Sequence, residues 1–214
     1  ARDIGDRFPS MRAFADTLRA ERAWMANGIA ALDAPATDRS EETDRIRQLM
    51  RTSRMSAREV VTRVGAHYDQ AIVAAGRPYA PGNPFPESKD PMVAVLVPHL
   101  DNGRRAWLRA AATSRLLLLR LALRAHRATR GVDPTGLGTL VSLGFLSRIP
   151  ADPFGNAPLR MRRLPGGTGL LVYSVGPDGR DDGGQPIGLV GPDGRRRALR
   201  AEDRGDLAGG VDTP

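Results

Sequence analysis

Apolar residues recur along the first third of the chain with the period of a helix. Met11, Phe14, Leu18, Met25, Ile29 and Leu32 fall at spacings of three, four or seven, which gathers them on one face. Arg12, Arg19 and Arg22 lie largely opposite, so the pattern predicts an amphipathic helix from an N-cap at Ser10 to about Leu32, ended by Pro35. A second helix is predicted over about Glu41–Met50, with Ile46, Leu49 and Met50 on its apolar side. Ser56 then caps a third, built on Val60, Val61, Val64, Tyr68, Ile72 and Val73 and stopped by Gly76 and Pro78.

Residues 77–91 hold five prolines, which excludes helix and central strand and marks an extended connection or domain boundary. The apolar run Met92–Val97 fits a helix or a strand. The longest helix is predicted next, about Arg104–Arg130, some 40 Å at about 1.5 Å per residue. Trp107, Ala110, Ser114, Leu117, Leu121, Ala125 and Ala128 lie on one stripe, and Arg105, Arg109, Arg120, Arg124 and Arg127 fall outside its centre. Gly131 is placed to stop it, and a short helix follows near Leu137–Leu143.

The pattern then changes to that of strands. Leu159–Arg163 alternates in and out, while Leu170–Val175 and Ile187–Val190 are apolar runs of strand type. GPDGR occurs at Gly176–Arg180 and again at Gly191–Arg195, where proline presets φ and glycine accepts a positive φ, so both read as hairpin turns. The elements define an α+β protein. A helical region over residues 1–88 precedes a region over 89–214, in which a long helix packs on a small antiparallel β-sheet centred on about 150–207.

Composition narrows the chemistry more than the architecture. With 41% hydrophobic and only 5% aromatic residues, a core must rest on aliphatic side chains. The net charge of +8 comes almost wholly from arginine, since Lys89 is the only lysine, and the cations are dispersed among 24 acids. That is a solvated surface, not a focused nucleic-acid patch. Absence of cysteine removes disulfides, thiolate metal sites and cysteine nucleophiles. No run is long and apolar enough to span a bilayer; Leu116–Leu119 is bounded by Arg115 and Arg120.

No catalytic motif stands out. HExxH and GxSxG are absent, and His67, His99 and His126 have no acid placed on a shared helical face. Pro165–Gly169 is rich in glycine but lacks the lysine and following helix of a phosphate loop. The chain is expected not to be an enzyme, with no catalytic residue and no small-molecule substrate.

One stretch is informative by its order. A long helix and a short helix lead to Ile149-Pro150 and the turn Asp152-Pro153-Phe154-Gly155-Asn156, with Pro158 beyond; later come Tyr173-Ser174 and the loop Gly176, Asp178, Gly179. This sequence resembles the soluble domain of the type II secretion major pseudopilin over about residues 104–184, and is similar to envelope proteins of high-GC bacteria that end in the same tail. The resemblance implies a long helix on a small antiparallel sheet and a loop that closes on calcium. It also implies a periplasmic or envelope location, an anchoring segment outside this chain, and protein partners in an envelope assembly. The roughly one hundred residues of other helical sequence that precede the long helix depart from that family.

Calcium takes six to eight oxygens from carboxylates and carbonyls on a loop that glycines allow to bend. Asp178, Asp181 and Asp182 with Gly176, Gly179, Gly183 and Gly184 meet both needs; the resemblance further implies an aspartate ligand from beyond the loop, for which Asp206 in Arg204-Gly205-Asp206-Leu207 is the candidate. A metal-free acidic turn uses the same residues, and the EF-hand pattern is absent because no glutamate closes it. Arg160, Arg162 and Arg163 suit a charged edge strand better than a nucleic-acid face. The competing function is an arginine-rich binder of nucleic acid or of an anionic membrane surface.

Overall fold

The computed structural model describes residues 11–33, 41–82, 85–97, 100–155, 157–167, 169–190, 194, 195, 197, 199, 200 and 202–212. Six α-helices come first: α1 (Met11–Ala30), α2 (Glu41–Thr52), α3 (Ala57–Ala75), α4 (Pro91–Leu96), α5 (Leu100–Arg130) and α6 (Leu137–Ser142). Three strands follow: β1 (Arg160–Arg163), β2 (Leu170–Ser174) and β3 (Leu207–Asp212). The chain divides into a helical unit, Met11–Arg77 with Pro84–Arg104, and a sheet-bearing unit drawn from Pro78–Asn83 and Arg105–Pro214.

In the helical unit, α1 and α3 pack along one another. Phe14, Leu18 and Ile29 from α1 and Val60, Val64 and Tyr68 from α3 are buried, as their spacing predicts. Val73, read as part of that apolar side, is 60% exposed, because it lies on the side of α3 opposite the buried Val64, Tyr68, Ala71 and Ala75. The α3 start is a full capping box: Ser56 Oγ accepts from the Glu59 amide and the Glu59 carboxylate accepts from the Ser56 amide. The run Met92–Val97 resolves as helix up to Leu96, with Val97 as its C-cap, because Asp90 caps the start, taking the Met92 amide at 2.9 Å, and Pro91 occupies the first turn. The predicted cap at Ser10 and the stop at Pro35 lie outside the described residues.

The sheet-bearing unit is the α+β part, with the long helix packed against a three-stranded antiparallel sheet in the order β1-β2-β3. All five residues of β2 are buried, as befits a central strand. Leu170 and Val172 join Leu116, Leu119 and Leu123 of α5 and Leu140 of α6 in one apolar cluster. The inward face of α5 is therefore not the stripe through Leu117 and Leu121 singled out above. Leu108, Leu116, Leu119 and Leu123 point in, and Leu117 and Leu121 are each 55% exposed. Four consecutive leucines supply two faces, and the sheet takes the one that also carries Ala112 and His126.

The third strand also corrects the sequence reading. Ile187–Val190 forms no strand; Pro186 only bridges Asp206 in parallel. The third position is taken by Leu207-Ala208-Gly209-Gly210-Val211-Asp212, whose glycines hide it from any strand pattern. Gly209 is tightly packed there: a Cβ would stand 3.0 Å from Leu116 Cβ and 3.2 Å from the Val172 carbonyl, so the helix lies close over the strand backbone. Of the two GPDGR turns, the first closes with the Gly179 amide on the Gly176 carbonyl at 3.2 Å. Gly191–Asp193 of the second lie outside the described residues.

Candidate functional site

The turn after the short helix is tied to the end of β2 by one buried carboxylate. Asp152, 3% exposed, accepts from the Phe154 amide at 3.0 Å and from Ser174 Oγ at 2.7 Å through Oδ1, and from the Val175 amide at 2.8 Å through Oδ2. Arg115 of α5 donates to the neighbouring Ala151 carbonyl at 2.9 Å. Phe154 is fully buried and meets Tyr79 edge-on at 5.2 Å, while Tyr79 Oη donates to the Pro177 carbonyl at 2.6 Å. The two pieces of the Asp152–Asp178 sequence signal are thus physically one structure.

Beyond it, the glycine loop folds back over the second face of the sheet. Gly184 has φ +84, and a Cβ there would run into the Leu171 side chain and lie 3.2 Å from Arg162 Nε. Gly176 has φ +70 with no room beyond, since its Cβ would stand 2.5 Å from the Gly205 carbonyl oxygen. Two stretches of chain therefore touch backbone to backbone at this point, which only glycine permits. Asp206 secures the contact: its amide donates to the Gln185 carbonyl at 2.6 Å, and its carbonyl accepts from the Ile187 amide at 3.2 Å.

The four candidate acids do not share one environment. Asp178 turns onto its own loop, accepting from the Arg180 amide at 3.1 Å. Asp181 is engaged on both oxygens, with the Gly183 amide at 3.0 Å on Oδ1 and Arg160 Nε at 3.0 Å from Oδ2. Asp182 and Asp181 both act by their charge on Asp206. Asp206 is the deepest, with no exposed surface; its Oδ2 accepts from the Gly184 amide at 2.5 Å, and its Oδ1 is buried without a partner among the described residues.

Burial is the main cause that pushes the Asp206 carboxyl above the ordinary carboxylate value. The Gly184 amide bound to Oδ2 pulls it back, as does the nearby Asp182 amide although it makes no well-formed hydrogen bond, and the charges of Asp181 and Asp182 push it further up. The folded state therefore holds that proton more tightly than the unfolded chain does. The stabilisation is present below the unfolded carboxylate value and is lost as pH rises through the raised one. Asp206→Asn keeps an acceptor for the Gly184 amide without the charge. Its melting temperature in EDTA is expected to gain on the parent as pH rises from about 4 to about 7; parallel curves would show that Asp206 carries no linked proton.

Among the described residues no three His, Asp or Glu side chains are grouped to hold a metal, so carboxylates alone do not make a finished centre. What fits a hard cation is narrower: one buried, unpartnered carboxylate oxygen, two further acids acting on it, and a glycine loop rich in carbonyls.

Of the remaining candidates, those described are packed or ion-paired. His126 lies 3.1 Å from the Val132 carbonyl through Nδ1 and packs edge-on against Phe145 at 5.4 Å, closing the end of α5. His67 is buried in α3, and burial lowers its pKa. His99 lies outside the described residues. Of the basic runs, Arg160 is paired with Asp181, and Arg197 grips the buried Asp203 through Nη1 and Nη2 at 2.8 and 2.6 Å. Sequence reasoning did not find Asp152 as an anchor or Asp206 as the most buried acid; the first was visible only as part of a turn motif.

These features define the class of protein: an α+β chain whose sheet-bearing unit is a long helix on a three-stranded antiparallel sheet, closed by an acidic glycine loop. No family model, curated protein or solved structure matches the chain. No described helix is long and apolar enough to cross a membrane.

Proposed function

We propose that this protein is a non-catalytic structural or interaction component of the bacterial cell envelope, of pseudopilin type, whose acidic glycine loop is held by calcium. The observation that carries the reading is Asp206 Oδ1, a buried carboxylate oxygen with no partner among the described residues, beside a loop of acids and carbonyls. Asp206 would hold the ion, with Asp181 and Asp182 nearest in charge; Asp178 would contribute only by turning away from Arg180. Calcium would supply the positive charge that this buried acid lacks, and so fix the loop to the start of β3. The order of elements supports the fold side of the resemblance, and the packed roles of His67 and His126 favour a non-enzymatic protein.

Because calcium would bind the folded loop and not the unfolded chain, it should stabilise by mass action, about 2.7 kcal/mol at a hundredfold excess over its dissociation constant. Thermal melts in EDTA, in calcium and in magnesium test this. A midpoint raised by calcium alone, and not in Asp206→Asn, is the expected result. A midpoint that ignores calcium would remove the ion from the account.

A further inference from the structure

The long helix has two apolar faces, and the sheet uses one of them. On the other, Ala106, Ala110, Thr113, Leu117, Leu121 and Ala128 are all exposed and follow one another at spacings of four, three, four, four and seven. They form an outward stripe within the sheet-bearing unit, interrupted by Arg124 and about 33 Å long at about 1.5 Å per residue. Leu117 and Leu121 are over half exposed, in a helix with ample polar residues to spare for a solvated face. Scattered surface leucines need no explanation, but an aligned row on a single helix face does.

The charge around the stripe identifies its occupant. Every charged side chain between Asn102 and Val132 is an arginine. Arg109 and Arg120 border the stripe on one side, both half-buried, with the Arg120 guanidinium reaching toward Gly210 of β3, and the exposed Arg124 stands within it. A second copy of α5 would set arginine against arginine along the whole contact, which is destabilising. A partner with carboxylates flanking its own apolar seam would be matched in charge. The small residues at the first part of the stripe let another backbone come close, as helix packing requires. The same small residues give little depth for insertion into an acyl layer, which disfavours a lipid surface.

We propose that the outward face of α5 is the docking site for an acidic amphipathic helix of a partner protein. The inference deepens the interaction role proposed above by giving the partner's chemistry, and rests on that reading, but it does not involve the calcium loop.

The test uses two synthetic helical peptides with the same alanine–leucine seam, one flanked by glutamate and the other by lysine, titrated against the full chain in EDTA and again in calcium. The glutamate peptide should bind at least about tenfold more tightly than the lysine peptide, with the difference shrinking in high salt. A Leu117→Ser/Leu121→Ser variant should lose about tenfold in affinity for the glutamate peptide while melting as the parent does, since both side chains are exposed. Equal binding of the two peptides, or none, overturns the proposal, and the peptide comparison on the parent chain needs no variant. Self-association that the double serine variant abolishes would assign the face to a second copy instead. Tight binding to vesicles of anionic phospholipid with no peptide binding would assign it to a membrane. Peptide binding that is normal in EDTA, together with a melting point indifferent to calcium, would remove the calcium loop and leave the docking face standing.

Discussion

Asp152→Ala should cost the sheet-bearing unit about 4 kcal/mol, the largest effect expected from any single polar side chain in this protein. The carboxylate takes three donors: the Phe154 and Val175 amides and Ser174 Oγ. Hydrogen bonds to a charged acceptor contribute about 1.5–3 kcal/mol each, and the truncation also leaves two amides unsatisfied in a site where Ser174 and Phe154 are fully buried. Some of the sum returns as water or small shifts meet the orphaned donors, hence about 4 and not the full total. For a chain of this size the melting point should fall by about 10 °C or somewhat more. Trp107 belongs to the sheet-bearing unit and Trp24 to the helical one, so Trp24→Phe makes fluorescence report the unit of interest. Asp152→Asn keeps an acceptor for Ser174 and Phe154 but turns an amide or loses an acceptor at Val175, and should cost about half as much. A loss below about 1 kcal/mol in the alanine variant would mean that the turn and the end of β2 are not held together through this residue.

That anchor marks the limit of what sequence could tell. The helices were legible because each carries its own signal: the apolar spacing of α1 and α3, the Ser56–Glu59 box, the Asp90-Pro91 start of α4. Strand β2 was legible because a central strand is apolar throughout. Where structure depends on what lies opposite, the signal fails. The Leu116–Leu119 run offers two equivalent helix faces, and only the position of the sheet chooses between them. Strand β3 has the composition of a loop, and is a strand because β2 pairs with it and α5 packs closely over Gly209 through Leu116. The candidate site divides in the same way. The acids were visible as residue types, but the burial of Asp206 follows from the parallel bridge at Pro186, and the diversion of Asp181 follows from Arg160 on the neighbouring strand. Both are contacts between segments distant in sequence, to which local pattern is blind.

The glycines of the loop offer a finer test of the packing, because two of them share a backbone conformation and differ in their surroundings. Gly176 and Gly183 have φ of +70 and +67, so replacing either by alanine imposes the same left-handed cost, about 1 kcal/mol. At Gly183 nothing lies within 4 Å of the new Cβ, and the cost should stop there. At Gly176 the new Cβ would stand 2.5 Å from the Gly205 carbonyl oxygen and 3.2 Å from Ile187 Cδ1. The first of these is backbone and cannot turn aside as a side chain can, so overpacking should add about 2 kcal/mol. Gly176→Ala is thus expected to destabilise by about 3 kcal/mol and Gly183→Ala by about 1, read from the Trp107 transition in denaturant. The difference isolates the close approach of the loop to the Gly205–Asp206 segment, the same approach that buries the Asp206 carboxylate. If the two variants cost the same, that approach is looser than described, and the unmet oxygen of Asp206 would then be open to water and have no need of a cation.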